Sequence, residues 1–247
     1  MSAPESPQDV LDSIFNSETG YERSDPDILE TSPSYDDLKE FAAALGSSSS
    51  EEDMQKFITE HPKILVGLFG VADDSILAVL TKPAIGTQFV ADYAVVSFGQ
   101  GGCCIHLVEL EPADSPLFTK DGNRAHRHNG AFTQARNWMS WISANRDTFV
   151  RDIMRKIEKL PDPPERASNG SFRRRSYKEI ENVWKGFGGF EEPFIDCKIV
   201  IGRWSQLDAD ARKALIAQNK HDGALAETVT YEQLARSSFQ RPLRNPW

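Results

Sequence analysis

The feature that most constrains the fold is a pair of apolar, β-branched stretches separated by a glycine-rich turn. Residues 87–98 are TQFVADYAVVSF, residues 99–102 are GQGG, and residues 103–112 are CCIHLVELEP. Two such stretches joined by a short glycine turn predict an antiparallel hairpin of buried strands. The second strand is expected to end at Pro112, which has no N–H to donate to a sheet.

Three carboxylates lie on this hairpin. Glu109 and Glu111 are two residues apart and therefore share one face of their strand, and Asp92 is expected within the preceding strand. A hairpin could bring Asp92 close to both, although sequence alone does not fix the register. Acids in a buried strand are costly unless they are paired, protonated or bound to a cation. The three together would form a hard-oxygen site for Mg²⁺ or Mn²⁺. The alternative is a solvated strand end with Lys or Arg partners.

The remaining pattern mixes helices and strands along the chain. Such mixing predicts an α/β fold in which a mixed central sheet is flanked by helices. Strands are expected in residues 76–86, which Pro83 interrupts, in residues 194–204 and at the start of residues 227–239. Helices are expected near residues 8–15, 32–46, 51–58 (with Ser50 as N-cap), 129–146, 147–160, 176–185, 207–219 and the end of 227–239.

Charge is distributed unevenly along the chain. Residues 1–60 hold 15 acidic and 3 basic residues, whereas residues 120–178 hold 14 basic and 6 acidic ones. Residues 1–49 are therefore interpreted as an acidic, largely flexible extension, residues 50–240 as the folded domain and residues 241–247 as a tail. The basic zone permits phosphate binding, although basic runs are often only solvated faces. The candidate nucleic-acid contacts are Arg124, Arg127, Arg151, Arg155, Arg173, Arg174 and Arg175.

Several classes of protein are disfavoured by what the sequence lacks. No apolar run approaches the roughly 18 residues of a membrane span, and the N-terminus lacks the basic and apolar regions of a secretory signal. The three cysteines fit neither a disulfide framework nor a standard zinc pattern, which favours a cytoplasmic location. A zinc site at His126 and His128, or a nucleophilic pair of Cys104 with a histidine, is disfavoured by spacing and by the apolar surroundings of the cysteine.

Several segments resemble, in order and spacing, the nuclease domain of Shedu antiphage defence proteins, in the PD-(D/E)xK nuclease superfamily. The resemblance covers roughly residues 50–240. It is carried by EEDMQKFITEHPKIL, FVADYAVV, LVELEP, LFTKDGN, AFTQARNWMSWI, KIVIGRW and ETVTYEQLA. It implies a restriction-endonuclease-like core and a metal-dependent DNA endonuclease of prokaryotic antiphage defence, which hydrolyses phosphodiesters with a metal-activated water.

The resemblance also implies roles for individual residues. Asp92 and Glu109 would be Mg²⁺ or Mn²⁺ ligands, and Gln134 would orient substrate or water from the following helix. Gln55 in the opening helix is a weaker candidate, and Glu52 is weaker still. The implied partners are DNA of phage or plasmid origin, further copies of the chain in a homo-oligomer, and a regulatory protein.

Glu111 departs from the family pattern, which has lysine at this position. A lysine there would stabilise the transition state or help to activate water, and glutamate reverses the charge. Glu111 could instead act as a base or as a further metal ligand, so the loss of the lysine need not abolish activity. The alternatives that stay open are a degenerate nuclease-fold module for DNA binding or assembly, and a nuclease directed at RNA. The acidic extension could also mimic DNA and cover the basic zone.

Overall fold

The computed structural model describes residues 35–47, 50–69, 76–99, 102–160 and 192–239. The α-helices within these ranges are α1 (Tyr35–Ser47), α2 (Glu51–Glu60), α3 (Lys63–Leu68), α4 (His126–Ala144), α5 (Arg146–Glu158), α6 (Ala209–Asp222) and α7 (Tyr231–Phe239). The strands are β1 (Ile76–Thr81), β2 (Ala84–Ile85), β3 (Phe89–Val90), β4 (Tyr93–Gly99), β5 (Gly102–Leu110), β6 (Phe194–Val200) and β7 (Glu227–Val229). A 3₁₀ turn spans Trp204–Gln206.

Five of the strands form one mixed sheet in the order β1-β4-β5-β6-β7. β4 pairs antiparallel with both β1 and β5, whereas β5–β6 and β6–β7 are parallel pairs. Helices α4 and α5 lie in the connection from β5 to β6, because parallel neighbours need a long crossover. This arrangement confirms the predicted α/β fold with a mixed central sheet and is consistent with a restriction-endonuclease-like core.

The predicted hairpin is present as β4 and β5, with register from Tyr93 opposite Val108 to Gly99 opposite Gly102. The expectation that Asp92 lies in mid-strand is wrong. Asp92 falls between β3 and β4, because the chain from Pro83 to Val90 forms a separate two-stranded ribbon of β2 and β3. Asp92 nevertheless stays aligned with β5, since its N–H donates to the Val108 carbonyl at 3.1 Å.

Apolar side chains cover both faces of the sheet, and β5 supplies both sides by alternation. Ile105 and Leu107 pack on the face covered by α4 and α5, where Trp138 and Phe149 are also buried. Val108 and Leu110 belong to the opposite cluster. That second cluster draws its other members from β4, β6, β7 and helices α1, α2, α3 and α7, and it includes Phe41, Met54, Ile58 and Tyr231.

Helix α1 belongs to this folded body, although it lies within the stretch interpreted as an extension. Its apolar residues Leu38, Phe41, Ala42 and Leu45 are all fully buried, on one helical face. The predicted helix ended by Gly46 is present and runs to Ser47. The helices expected near residues 8–15 and 176–185, Arg173 to Arg175 and the tail 241–247 lie outside the described residues. Within the described ranges, no helix is both long and apolar enough to cross a membrane.

Candidate active site

Four acidic residues come together where β5 ends and β4 begins. The antiparallel pairing of β4 with β5 brings Asp92 beside the end of β5, and Glu111 continues β5 by donating its N–H to the Val200 carbonyl at 2.9 Å. Glu109 lies opposite Ile199 of β6 in the parallel register. Glu51 opens helix α2 and is electrostatically coupled to both Asp92 and Glu111. The sequence therefore folds so that four acidic side chains gather at the C-terminal end of the central strand β5.

Asp92 is buried and accepts three hydrogen bonds. Its Oδ2 accepts from the Leu110 backbone N–H at 2.7 Å. Its Oδ1 accepts from Gln55 Nε2 at 2.8 Å and from the Lys82 ammonium at 2.5 Å. The ammonium and the two N–H donors stabilise the negative charge of Asp92.

Glu109 is the least satisfied of the four acids. It is only 8% exposed, and no hydrogen bond or ion pair to its carboxyl group is found within the described part of the chain. Burial, and after it the charges of Asp92, Glu111 and Glu51, raise the pKa of Glu109 to about 9. Glu109 is therefore protonated near neutral pH unless a cation compensates for its charge.

Glu111 is half-buried and has a cationic partner. Its Oε2 lies 3.2 Å from a guanidinium nitrogen of Arg127, which is in the first turn of α4. Burial raises the pKa of Glu111, and the pairing with Arg127 opposes that shift. The buried Tyr231 hydroxyl donates to the Glu111 backbone carbonyl at 2.8 Å, which fixes the chain just beyond the strand. Glu111 thus has the arginine partner expected of a structural ion pair, whereas Glu109 has no such partner among the described residues.

Helix α2 contributes two polar residues to the site. Gln55 Nε2 donates both to Asp92 and, at 3.0 Å, to Glu51 Oε1, one helical turn earlier. Burial and the neighbouring carboxylates raise the pKa of Glu51. Ser50 caps this helix as predicted, accepting from the Asp53 N–H at 3.2 Å. Glu52, by contrast, is exposed.

The carboxylate oxygens suit a hard divalent cation, but the described side chains do not form a complete set of metal ligands. Carboxylate oxygens are the ligands that Mg²⁺ and Mn²⁺ prefer, and the unpaired, buried carboxyl group of Glu109 would be relieved by such an ion. No group of three or more His, Cys, Asp or Glu in the described ranges has the arrangement of a metal site. Lys82 on Asp92 and Arg127 on Glu111 account for part of this, because both carboxylates already have cationic partners.

Gln134 lies on α4, the helix that also carries Arg127. It is half-buried on α4, two helical turns beyond Arg127 and on the same side of the helix. Within the described residues, no hydrogen bond joins its side chain to Asp92, Glu109 or Glu111.

The candidate arginines that the structure describes have different surroundings. Arg124 pairs with Asp222 and lies 3.8 Å above the Phe132 ring, so its charge is already engaged within the fold. Arg127 is 57% exposed on its side chain and adjoins the acidic site. Arg151 and Arg155 are exposed on the outer face of α5.

The histidines and cysteines considered for other chemistry have different surroundings, and only His126 among those named here acts electrostatically on one of the acids, Glu111. His128 is fully buried, with ring nitrogens 2.9 Å from the Leu117 carbonyl and 3.0 Å from Thr228 Oγ1. Burial lowers the pKa of His128 to about 4, so this side chain is a neutral, structural link. His126 is exposed, and burial raises the pKa of the Cys104 thiol, which opposes a nucleophilic role.

Sequence reasoning missed Lys82 and Glu51. Lys82 follows β1 and reaches Asp92 only because Thr81 pairs with Tyr93, a register that the sequence does not specify. Glu51 could have been found from its spacing, since it lies one turn before Gln55 on the same helical face.

Comparison with known proteins identifies one family. Residues 48–235 match the family described as Shedu protein SduA, C-terminal. No curated protein matches the chain.

Proposed function

The chain belongs to the Shedu family of antiphage defence proteins, and from this membership and its acidic site we propose that it is a metal-dependent DNA endonuclease. The reaction is hydrolysis of DNA phosphodiesters with Mg²⁺ or Mn²⁺, at a site of the PD-(D/E)xK type. The observation that supports this most is Glu109, a buried carboxyl group without a partner among the described residues and beside three further acids. A divalent cation is the partner that would make this arrangement favourable.

The proposed ligands are Asp92, Glu109 and Glu111. A bound cation would lower the pKa of a water molecule and polarise a phosphoryl oxygen. The chain's own residues hold the ligands in place: Gln55 and the Leu110 N–H orient Asp92, and Tyr231 fixes the backbone at Glu111. Gln134 faces the same side of α4 as Arg127 and is proposed to contact substrate or water.

DNA is the proposed substrate, with Arg127 as its nearest cationic contact. Arg127 is more than half exposed and lies beside Glu111, where a backbone phosphate of a strand entering the site could reach it. Arg151 and Arg155 are exposed on α5 and are proposed to contact a longer strand, although Arg151 donates to Thr148 and Arg155 lies 3.8 Å from Asp152. Arg124 is held by Asp222. A homo-oligomer and a regulatory partner protein are further parts of the proposal. They rest on family membership alone.

Cleavage by the purified full chain tests the proposal. With Mg²⁺ or Mn²⁺ we expect cutting of supercoiled, linear or single-stranded DNA, and Glu109→Gln should slow it at least about a hundredfold, since even outer residues of metal sites can cost that much. Glu60→Gln is the matched control, because Glu60 is an exposed acid at the last position of helix α2, and it should cut normally. Absence of cutting on every DNA form, or full activity of Glu109→Gln, would refute the proposal. Cutting of RNA but not of DNA would refute DNA as the substrate and would support a nuclease directed at RNA.

A degenerate module for DNA binding or assembly is the second candidate. It is favoured by the absence of a three-ligand group in the described ranges and by the pairing of Glu111 with Arg127. Under this reading the acids are structural, and neither Mn²⁺ nor Mg²⁺ binds at Glu109. Titration of the chain with Mn²⁺ separates the two candidates, because only the nuclease requires the cation.

A further inference from the structure

Lys82 is a cation held at the acidic site by its own backbone and side chain. The Lys82 N–H donates to the Asp92 carbonyl at 2.7 Å, and the Lys82 ammonium lies 2.5 Å from Asp92 Oδ1. The Lys82 side chain is nevertheless 57% exposed, whereas that of Asp92 is 8% exposed. The ammonium therefore covers a buried carboxylate from the solvent side, where an incoming ion or phosphate would approach.

The backbone of Lys82 is in an unfavourable conformation. Its φ of 46° makes it the one residue other than glycine with positive φ in the described ranges. Residues with a Cβ rarely adopt this region, and a residue before proline, here Pro83, is further restricted. Backbone strain of this kind concentrates at functional sites, where neighbouring contacts hold it. This conformation, together with the pairing of Thr81 with Tyr93, places the Lys82 side chain beside Asp92.

The hydrogen bonds to Asp92 use three of the roughly four acceptor positions of its carboxylate while Lys82 stays in place. Three donors already use its two oxygens, and two of them, the Leu110 N–H and the Gln55 amide, belong to the sheet and to helix α2. The Lys82 ammonium is the donor at the end of a long, exposed side chain. It is thus the donor that an incoming divalent cation can displace at the least cost.

We propose that Lys82 is the exchangeable cation of this site: it neutralises Asp92 before a divalent cation binds, and afterwards contacts the phosphate that is cut. There it supplies the positive charge that Glu111 does not provide. The inference rests on the proposed function and extends it by one residue. Stabilisation of charge that develops on a transferring phosphoryl group is the chemistry that a positioned lysine performs.

Mn²⁺ titration and cleavage by the full chain test this role together. Lys82→Met should bind Mn²⁺ about threefold or more tightly, because a competing charge has gone. At saturating Mn²⁺ it should cut DNA at least about tenfold more slowly than wild type. Lys82→Arg, which keeps a positive charge at the same position, should cut clearly faster than Lys82→Met. Lys213→Met, which removes an exposed lysine that lies 3.3 Å from Asp210, is the matched control and should change neither property.

The outcomes separate this inference from the proposed function. Wild-type cutting by Lys82→Met, or unchanged Mn²⁺ affinity, overturns the role of Lys82 even when Glu109→Gln is inactive. Cutting by Lys82→Arg that is as slow as cutting by Lys82→Met also overturns it, because the loss then follows the loop rather than the charge. If the wild type binds Mn²⁺ but cuts no nucleic acid, the proposed function fails. The Mn²⁺ affinities of Lys82→Met and wild type then test whether the divalent cation displaces Lys82 from Asp92. Tighter binding by Lys82→Met supports this displacement, and equal binding refutes it.

Discussion

Glu109 keeps an ionisable group in a place where ionisation is unfavourable. The carboxyl group is buried, and three other carboxylates raise its pKa further. Asp92 and Glu111 avoid the same difficulty because Lys82 and Arg127 supply opposite charges. Glu109 is thus the acid at the end of β5 whose charge a further cation would neutralise.

The raised pKa of Glu109 predicts how the stability of the metal-free chain depends on pH. Below about pH 4.5 the group is protonated whether the chain is folded or unfolded; above it, only the unfolded chain loses the proton until about pH 9. The folded chain then binds more protons, so stability should fall as pH rises through this window. From about pH 6 to pH 8, this group should lower the free energy of unfolding by at most about 3 kcal/mol.

Urea unfolding in EDTA measures this dependence. Glu109→Gln, which cannot ionise, should lose less stability over the same pH range than the wild type. Glu52→Gln should behave like the wild type, because Glu52 is exposed. Equal slopes for wild type and Glu109→Gln would show that Glu109 is ionised in the folded chain.

At the scale of elements, α1 extends the folded body towards the N-terminus. Its apolar residues recur at the spacing of one helical face and pack against the sheet side that carries α7. Arg203, in the loop after β6, donates to the Leu45 carbonyl near the end of α1. The helix is therefore tied to the same loop that follows the central parallel strand.

Two truncations test the contribution of α1. A chain that lacks residues 1–49 should be less stable, by several kcal/mol, than a chain that lacks residues 1–34. The longer deletion uncovers apolar surface that four buried residues now fill, at about 1.5–3 kcal/mol for each large side chain. Thermal unfolding of both variants measures the difference. Equal unfolding temperatures would contradict the packing of α1, and would support a folded domain that begins at residue 50.

At the scale of the whole molecule, the sequence predicts the secondary-structure elements better than the tertiary contacts between them. The hairpin, the mixed sheet and the strand end with Glu109 and Glu111 follow from apolar alternation and glycine turns, which are local properties. The contact of Lys82 with Asp92 depends on the register of β1 on β4. The contact of Arg127 with Glu111 depends on how α4 packs after a loop of more than ten residues. Local patterns do not encode either.

The position of Asp92 shows the same limit. Sequence composition favours a continuous strand through it, whereas the chain turns at Lys82 and Pro83 and makes a separate ribbon first. The strand prediction fails there because positive φ at a lysine carries no local signal. The acid still reaches the end of β5, since long-range pairing with Val108 sets its position.

The measurement that tests the central claim most directly is a calorimetric titration of the full chain with Mn²⁺, beside Glu109→Gln. We predict binding by the wild type at about pH 7 with release of about one proton per cation, because Glu109 must ionise to act as a ligand. Heats in two buffers of different ionisation enthalpy count that proton, and Glu109→Gln should bind far more weakly. Absence of Mn²⁺ binding, even with nonhydrolysable DNA present, or equal binding by Glu109→Gln, would contradict a cation site at these acids.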